Sequence, residues 1–407
     1  MPERTTTVGT VLAGATLLDG RRVDVTLHGE SIAAVAAAVE TFSAGAVDLT
    51  GHLLLPAAVE PHAHLDKAFL ADVVTNETGD LHGAIEAMRA ARSRLNVAET
   101  MERAERAARL LAANGVGTVR SHADTTLENG LTSVEALVAL RDRVADVIEV
   151  EVVALCSWPV TGPEGADQRA LLHAAIAAGA DVVGGCPHLE DSGDTWAATG
   201  TLLSIAAEHG VGVDLHTDET LQLDVQGLAD LAGLVMSTGF PHPVTASHCV
   251  SLGLQSLERQ REVAEMVAAA GISVVALPAT NLYLQGRDQQ QGMPRGVTAV
   301  QALTSAGVNV AAGADNLQDP FNPLGRACPF ETAGLMVMTA HVKPVDAWAM
   351  VTDRARIALG RHPLAVEPGA LADLLAVRAG SIRQAIAFGP PDRKVWHRGH
   401  PVPSSEG

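Results

Sequence analysis

The sequence predicts a (β/α)8 barrel joined to a small β-sandwich built from both chain ends. Between residues 56 and 364, short apolar, β-rich runs alternate with Ala-, Leu- and Glu-rich helical stretches. That alternation is the mark of a parallel sheet covered on both faces. Eight strand–helix units over roughly 300 residues is the size of a barrel. Polar residues gather at the ends of these runs, where a barrel places its mouth. A doubly wound open sheet is the alternative, and no Gly-rich phosphate fingerprint supports it.

The runs are "HLLLPAAVEPHAHL", "GVGTVRSHAD", "IEVEVVALCSWP", "ADVVGGCPHLE", "GVGVDLHTDE", "PVTASHC", "ISVVALPATN" and "VNVAAGADN". Between them lie helical segments such as "AMRAARSRLNVAETMERAERAARLLAANG" and "SLERQREVAEMVAAAG", many ending in Gly as a C-cap should. Residues 1–55 and 365–407 read as short strands and turns and make a second domain together, with the barrel, 56–364, inserted between them. "VGTVLAGATLL" resembles a signal-peptide core, but Glu3 precedes it and Asp19-Gly20 follows as a hairpin turn, so it reads as a strand.

At 407 residues, 47% apolar and 18% charged, the chain is globular and can bury a large core. Its net charge of −19 argues against non-specific binding to nucleic acid or an anionic membrane. No apolar run is long enough to span a bilayer. Cys156, Cys186, Cys249 and Cys328 lack disulfide-framework or zinc-ribbon spacing, which suits a reducing cytoplasm.

His62 and His64, in "VEPHAHLDKAF", are two apart on a strand and so point the same way, into the barrel. Other strand ends carry His122 with Asp124, His188 with Glu190, His216 with Glu219, then His248, Asn281, and Asp315 with Asn316. Two imidazoles from one strand, His216 from another and the Asp315 carboxylate make a nitrogen- and oxygen-rich set. It suits one divalent ion, Zn or Fe, rather than calcium.

With these motifs in view, the chain resembles the amidohydrolase superfamily, in its cytosine-deaminase-like branch. The resemblance rests on "PHAHLDK", "RSHAD", "GGCPHLE", "HTDE", "ASHC", "NLYLQGR" and "GADNLQDPFNPLG", and it spans nearly the whole chain. It implies a distorted barrel, a flanking sandwich and metal-assisted hydrolysis. The implied metal ligands are His62, His64, His216 and Asp315. Glu219 would carry protons to the ring nitrogen or leaving group, and His248 would orient the attacking water. "DVVGGCPHLE" lacks the lysine that bridges two metals in binuclear relatives, so a single ion is expected. Family members often form homo-oligomers, and no surface in this sequence argues for a stoichiometry.

The chain departs from the branch in three places. Val160 stands where cytosine deaminases carry a pyrimidine-reading glutamine, Asn316 follows Asp315 in place of a second aspartate, and Phe321 replaces a tryptophan. A substrate other than cytosine is therefore expected. The "HLDK" form, with Lys67, is similar to relatives that hydrolyse N-substituted triazines and other heterocycles.

A divalent ion lowers the pKa of bound water toward about 7, supplying hydroxide at neutral pH. Asp315 is placed both to ligate and to accept that water's proton. The expected substrate contacts are Lys67, His122, Trp158, His188, Asn281, Gln285, Asn316 and Phe321, with Trp158 and Phe321 stacking on a flat ring and Lys67 favouring an anionic or enolisable substrate. Cys249 follows an inward-facing residue, so its side chain should point out of the barrel. The expected function is removal of ammonia or an amine from a nitrogen heterocycle. The alternatives are hydrolytic opening of a cyclic amide or imide, or a non-catalytic binding protein on the same fold.

Overall fold

The computed structural model describes residues 9–40 and 45–404. Eight parallel strands pair in chain order: Ala58–Ala63, Val116–Thr125, Glu149–Cys156, Val182–Gly185, Gly212–Thr217, Val244–His248, Ser273–Ala276 and Val310–Ala312, barrel strands one to eight. The register is closed at the rim by a parallel bridge between Ala63 and Asp315. There the Asp315 N–H donates to the His62 carbonyl at 3.0 Å, and the His64 N–H donates to the Asp315 carbonyl at 3.2 Å. Thus the backbone that closes the barrel also fixes two histidines against the aspartate.

Each crossover between consecutive strands carries at least one helix. The helices Thr195–His209 and Gly227–Thr238 stop at Gly210 and Gly239, whose φ values of 69° and 65° place them in the left-handed region. The long helical segment expected between strands one and two is two helices, Leu81–Ala91 and Val97–Ala113. Asn96 makes the break, because its side chain accepts from the Glu99 N–H at 3.1 Å and starts the second helix. Arg103, on that second helix, donates to the Asp66 and Ala68 carbonyls at 2.8 and 3.0 Å, pinning the turn after strand one.

Strands from both ends of the chain form one continuous eight-stranded mixed sheet, with Leu53–Pro56 from the first end paired to Leu374–Val377 from the second. Leu12, Val25, Leu27, Ile32, Leu54, Leu374 and Trp396 share its core. Thr10–Thr16 and Arg22–His28 pair antiparallel around Asp19-Gly20, so this stretch is a strand, as expected. Residues 1–8, 41–44 and 405–407 of the expected terminal domain, Glu3 and Val8 included, lie outside the described residues. Among the described residues, no helix is long and apolar enough to cross a membrane.

Beneath the mouth, the barrel interior holds an ion network. Arg120, on strand two, donates to Glu151 at 2.6 Å and to Asp214 at 2.9 Å, all on barrel strands. Burial pushes the Asp214 carboxyl up to about 6 even though Arg120 pulls it down. Arg120→Met leaves that carboxylate buried and unmatched. It should therefore destabilise the fold by about 3–5 kcal/mol, read as a lower midpoint in guanidinium unfolding.

Candidate active site

The floor of the site is built from His62, His64, His216 and Asp315. His62 Nδ1 lies 2.8 Å from Ser247 Oγ, whose hydroxyl donates to Asp214 Oδ1 at 2.9 Å. With its proton committed to Asp214, Ser247 can only accept from His62. This fixes the His62 proton on Nδ1 and leaves the Nε2 lone pair free. His64 Nε2 lies 3.2 Å from His216 Nε2 and 3.2 Å from Asp315 Oδ1, and His62 Nε2 lies 3.5 Å from the same Asp315 oxygen.

Burial, reinforced by neighbouring imidazoles, holds His62 and His216 well below the usual histidine range, so both are neutral with lone pairs to offer. Asp315 is kept below its ordinary range: burial works against this, but His64 and His248 outweigh it. His62 Nε2, His216 Nδ1, His248 Nε2 and both Asp315 oxygens are buried with no hydrogen-bond partner. Such a cluster of unpaired buried polar atoms is costly. Ligand atoms of His62, His64 and His216 all lie within 4.8 Å of one another, as do those of His62, His248 and Asp315. The donor set fits a divalent cation of the zinc or iron type. Ser247→Ala should weaken metal affinity by about 10- to 100-fold, measured by chelator competition, because it frees the His62 ring and its tautomer.

Glu219 and His248 stand beside this floor. The His248 Nδ1–H donates to Asn281 Oδ1 at 3.0 Å and lies 3.6 Å from Glu219 Oε1, so Nε2 is the free ring atom. Burial, and then the Asp315 charge, push the Glu219 carboxyl well above its usual range, so it can hold a proton near neutrality. His248 and Asp315 have φ values of 69° and 65°. Left-handed backbone at non-glycine residues costs roughly 1–3 kcal/mol each and persists where surrounding contacts hold it. Here the rim bridge holds Asp315, and Thr298 Oγ1 donates to the His248 carbonyl at 2.6 Å. A clamp beneath uses Glu60, which accepts from the His62 and Ala314 N–H groups. Gly313 makes room for it, since a Cβ there would meet Glu60 Oε1 at 2.5 Å.

Above the floor is a cavity of about 560 Å³ including its open mouth. Leu81, Ile85, Met88, Leu155, Trp158, Leu189 and Phe321 give it apolar walls, while Lys67, Arg92, Asp124 and Asn316 add polar points. An apolar slot with few convergent polar groups is how small-molecule sites are commonly built.

An amidohydrolase family model matches residues 73–403. The chain belongs to the amidohydrolase family. It is similar to the pterin deaminase of Rhizobium rhizogenes, 31% identical over 402 residues, covering 98% of this chain and 89% of that protein. Its fold is similar to the crystal structure of 5-methylcytosine deaminase from Klebsiella pneumoniae liganded with 5-fluorocytosine: 29% identity, TM-score 0.89 and 98% of each chain covered. N-isopropylammelide isopropylaminohydrolase from Burkholderia multivorans also superposes, with 27% identity, TM-score 0.84 and coverage of 97% and 98%. The protein is thus a metal-dependent hydrolase of carbon–nitrogen bonds other than peptide bonds.

Of the expected substrate contacts, this amidohydrolase places Lys67, Trp158, Asn316 and Phe321 on the cavity wall, and the other four off it. His122 is buried under the floor, its ring 3.9 Å from that of His62. His188 turns its Nδ1 to the His216 carbonyl at 3.1 Å. Asn281 is taken up by His248, and Gln285 donates to the Glu219 carbonyl at 3.3 Å. The named contacts of all four are to His62, His216, His248 and Glu219, residues of the floor and its flank. Val160 packs in the main core, so Leu155 and Trp158 provide the strand-three wall instead. Lys67 is buried, 2.7 Å from Asp124 and 3.4 Å from Asp66, and its Nζ is 3.1 Å from His64 Nδ1. Cys249 is buried, and burial pushes its thiol well above the usual range, which leaves it inert as a nucleophile.

Sequence reasoning did not single out the cavity-facing side of the helix Leu81–Ala91, or Arg92. Leu81, Ile85, Met88 and Arg92 follow one another at intervals of four, three and four, a single helical stripe that faces the cavity. It missed Cys186 and Leu189 as well.

Proposed function

We propose that this chain deaminates a planar nitrogen heterocycle, with one divalent ion, zinc or iron, held by His62, His64, His216 and Asp315. The observation that carries this reading is the convergence of unpaired His62 and Asp315 atoms with Glu219 and His248 at the floor of an apolar, aromatic-edged cavity. The similarity to deaminases of a pterin and of 5-methylcytosine supports a flat amino-heterocycle as substrate. The departures at Val160, Asn316 and Phe321 favour a ring other than cytosine.

When bound, the ion supplies an acidified water and a positive charge opposite the charge that develops on the substrate. Trp158 and Phe321 bracket the ring, and Asn316 is fixed for contact because Thr280 and Asp319 hold its amide. Asp315 accepts the proton of the attacking water. Glu219 gives its proton to the ring nitrogen, regains one from Asp315 and passes that to the departing amine, and the hydroxyl proton lost as the carbonyl forms restores Glu219. Its location beside Asp315 at the floor lets one carboxyl serve both transfers. His248, its Nδ1 tied to Asn281, presents Nε2 to orient the water. Water adds to the carbon, the bond to the exocyclic nitrogen breaks, and ammonia or an amine leaves with the proton Glu219 delivers.

The same proposal divides the chain into a catalytic barrel, 56–364, and a terminal domain, 1–55 with 365–407. It places the protein in the cytoplasm, where its four free cysteines stay reduced, as a homo-oligomer of small-molecule function without nucleic-acid or membrane partners. A screen of pterins, aminopyrimidines, N-alkylamino-triazines and cyclic ureides tests it, with ammonia, amine and ring absorbance recorded together. Release of ammonia or amine supports the proposal. Ring opening without either would establish the cyclic-amide alternative, and no turnover by metal-loaded protein would favour a binding protein.

A further inference from the structure

We infer that Arg92 reads an acidic substituent, a carboxylate, on the edge of the substrate remote from the scissile amine. The inference rests on the deaminase reading and names the substrate class within it. Lys67, the cation expected to do this, is already matched: Asp124 Oδ1 lies 2.7 Å from its Nζ and Asp66 Oδ1 3.4 Å. Arg92 is matched more loosely. Its nearest carboxylate oxygen is Asp124 Oδ2 at 3.4 Å, on the carboxylate that Lys67 already holds, and Glu128 stands 3.6 Å away with half its side chain in solvent. The Arg92 side chain is 11% exposed and its Nε is buried without a hydrogen-bond partner. A guanidinium has five N–H donors in a planar fork matched to a carboxylate, so an under-bonded one on a cavity wall is set to receive an anion.

Position completes the argument. The proton-handling groups Glu219 and His248 stand at the ends of strands five and six, and Asp315 beyond strand eight. Arg92 follows the helix after strand one and touches Asp124 of strand two, across the mouth from strands five and six. A ring lying between the aromatic walls, with its amine at Glu219, therefore turns its far edge to Arg92. The helical stripe Leu81, Ile85 and Met88 lines the way, so the guanidinium is the polar end of an apolar wall. A neutral far edge would leave the guanidinium only its long contacts to Asp124 and the half-exposed Glu128, and its buried Nε–H unbonded.

The test compares pterin with pterin-6-carboxylate on the metal-loaded enzyme, then on Arg92→Gln and Arg92→Lys. Wild type should favour the carboxylate in kcat/KM by about tenfold or more, the range of one charge-assisted contact. Arg92→Gln should bring that ratio toward unity, mainly through KM, and Arg92→Lys should restore part of it. Equal kcat/KM for both compounds in wild type overturns the inference with no variant needed. An equal loss on both compounds in Arg92→Gln, with the ratio intact, also overturns it and assigns Arg92 to holding Asp124. Failure of the deaminase reading looks different, since neither compound nor any other amino-heterocycle would then release ammonia.

Discussion

Glu219→Gln lowers kcat by roughly 10²- to 10⁴-fold while the metal stays bound, the usual reach of a positioned general acid–base group. The amide keeps the size of the carboxyl and can neither take nor give the proton. Glu219 is not among the residues whose donor atoms cluster tightly enough to share an ion, so metal content should be unchanged in elemental analysis. Its buried carboxyl, pushed well above the usual range, is matched to this task. Glu219→Gln retaining full turnover would remove Glu219 from the chemistry and leave His248 and Asp315 to account for proton transfer.

The second large effect is at the floor. His216→Ala should lose the metal and the activity together, with turnover falling below detection. His216 Nε2 lies 3.2 Å from His64 Nε2, and the variant removes this strand-five nitrogen from the donor set. The residual set lacks the strand-five ligand that the proposed site requires. Far-UV circular dichroism should stay native, because the backbone of strand five is held by its parallel neighbours on both sides. Retained stoichiometric metal in this variant would mean that another residue completes the donor set.

The barrel and the floor were legible in the sequence for one reason. Strand periodicity and the placing of His62, His64, His216 and Asp315 at run ends both follow from backbone geometry, which repeats. Walls are different. Leu81, Ile85 and Met88 have the spacing of an ordinary core stripe, and nothing in a sequence tells a stripe facing a cavity from one facing a sheet. His122, His188, Asn281 and Gln285 sit at strand ends or just past them, as substrate contacts would, yet their polar atoms or rings turn to His62, His216, His248 and Glu219. Which way a side chain turns at such a position depends on partners far along the chain. Lys67 shows the same limit. Its charge was visible in "HLDK", and its neutralisation by Asp124, 57 residues away, was not.

The most direct measurement is a titration of chelator-stripped protein with Zn(II) or Fe(II), reading turnover against equivalents added. If His62, His64, His216 and Asp315 hold one ion that the chemistry requires, activity should rise linearly from near zero and break at about one equivalent per chain. Full activity in stripped protein would contradict the account, and so would a rise that continues to two equivalents.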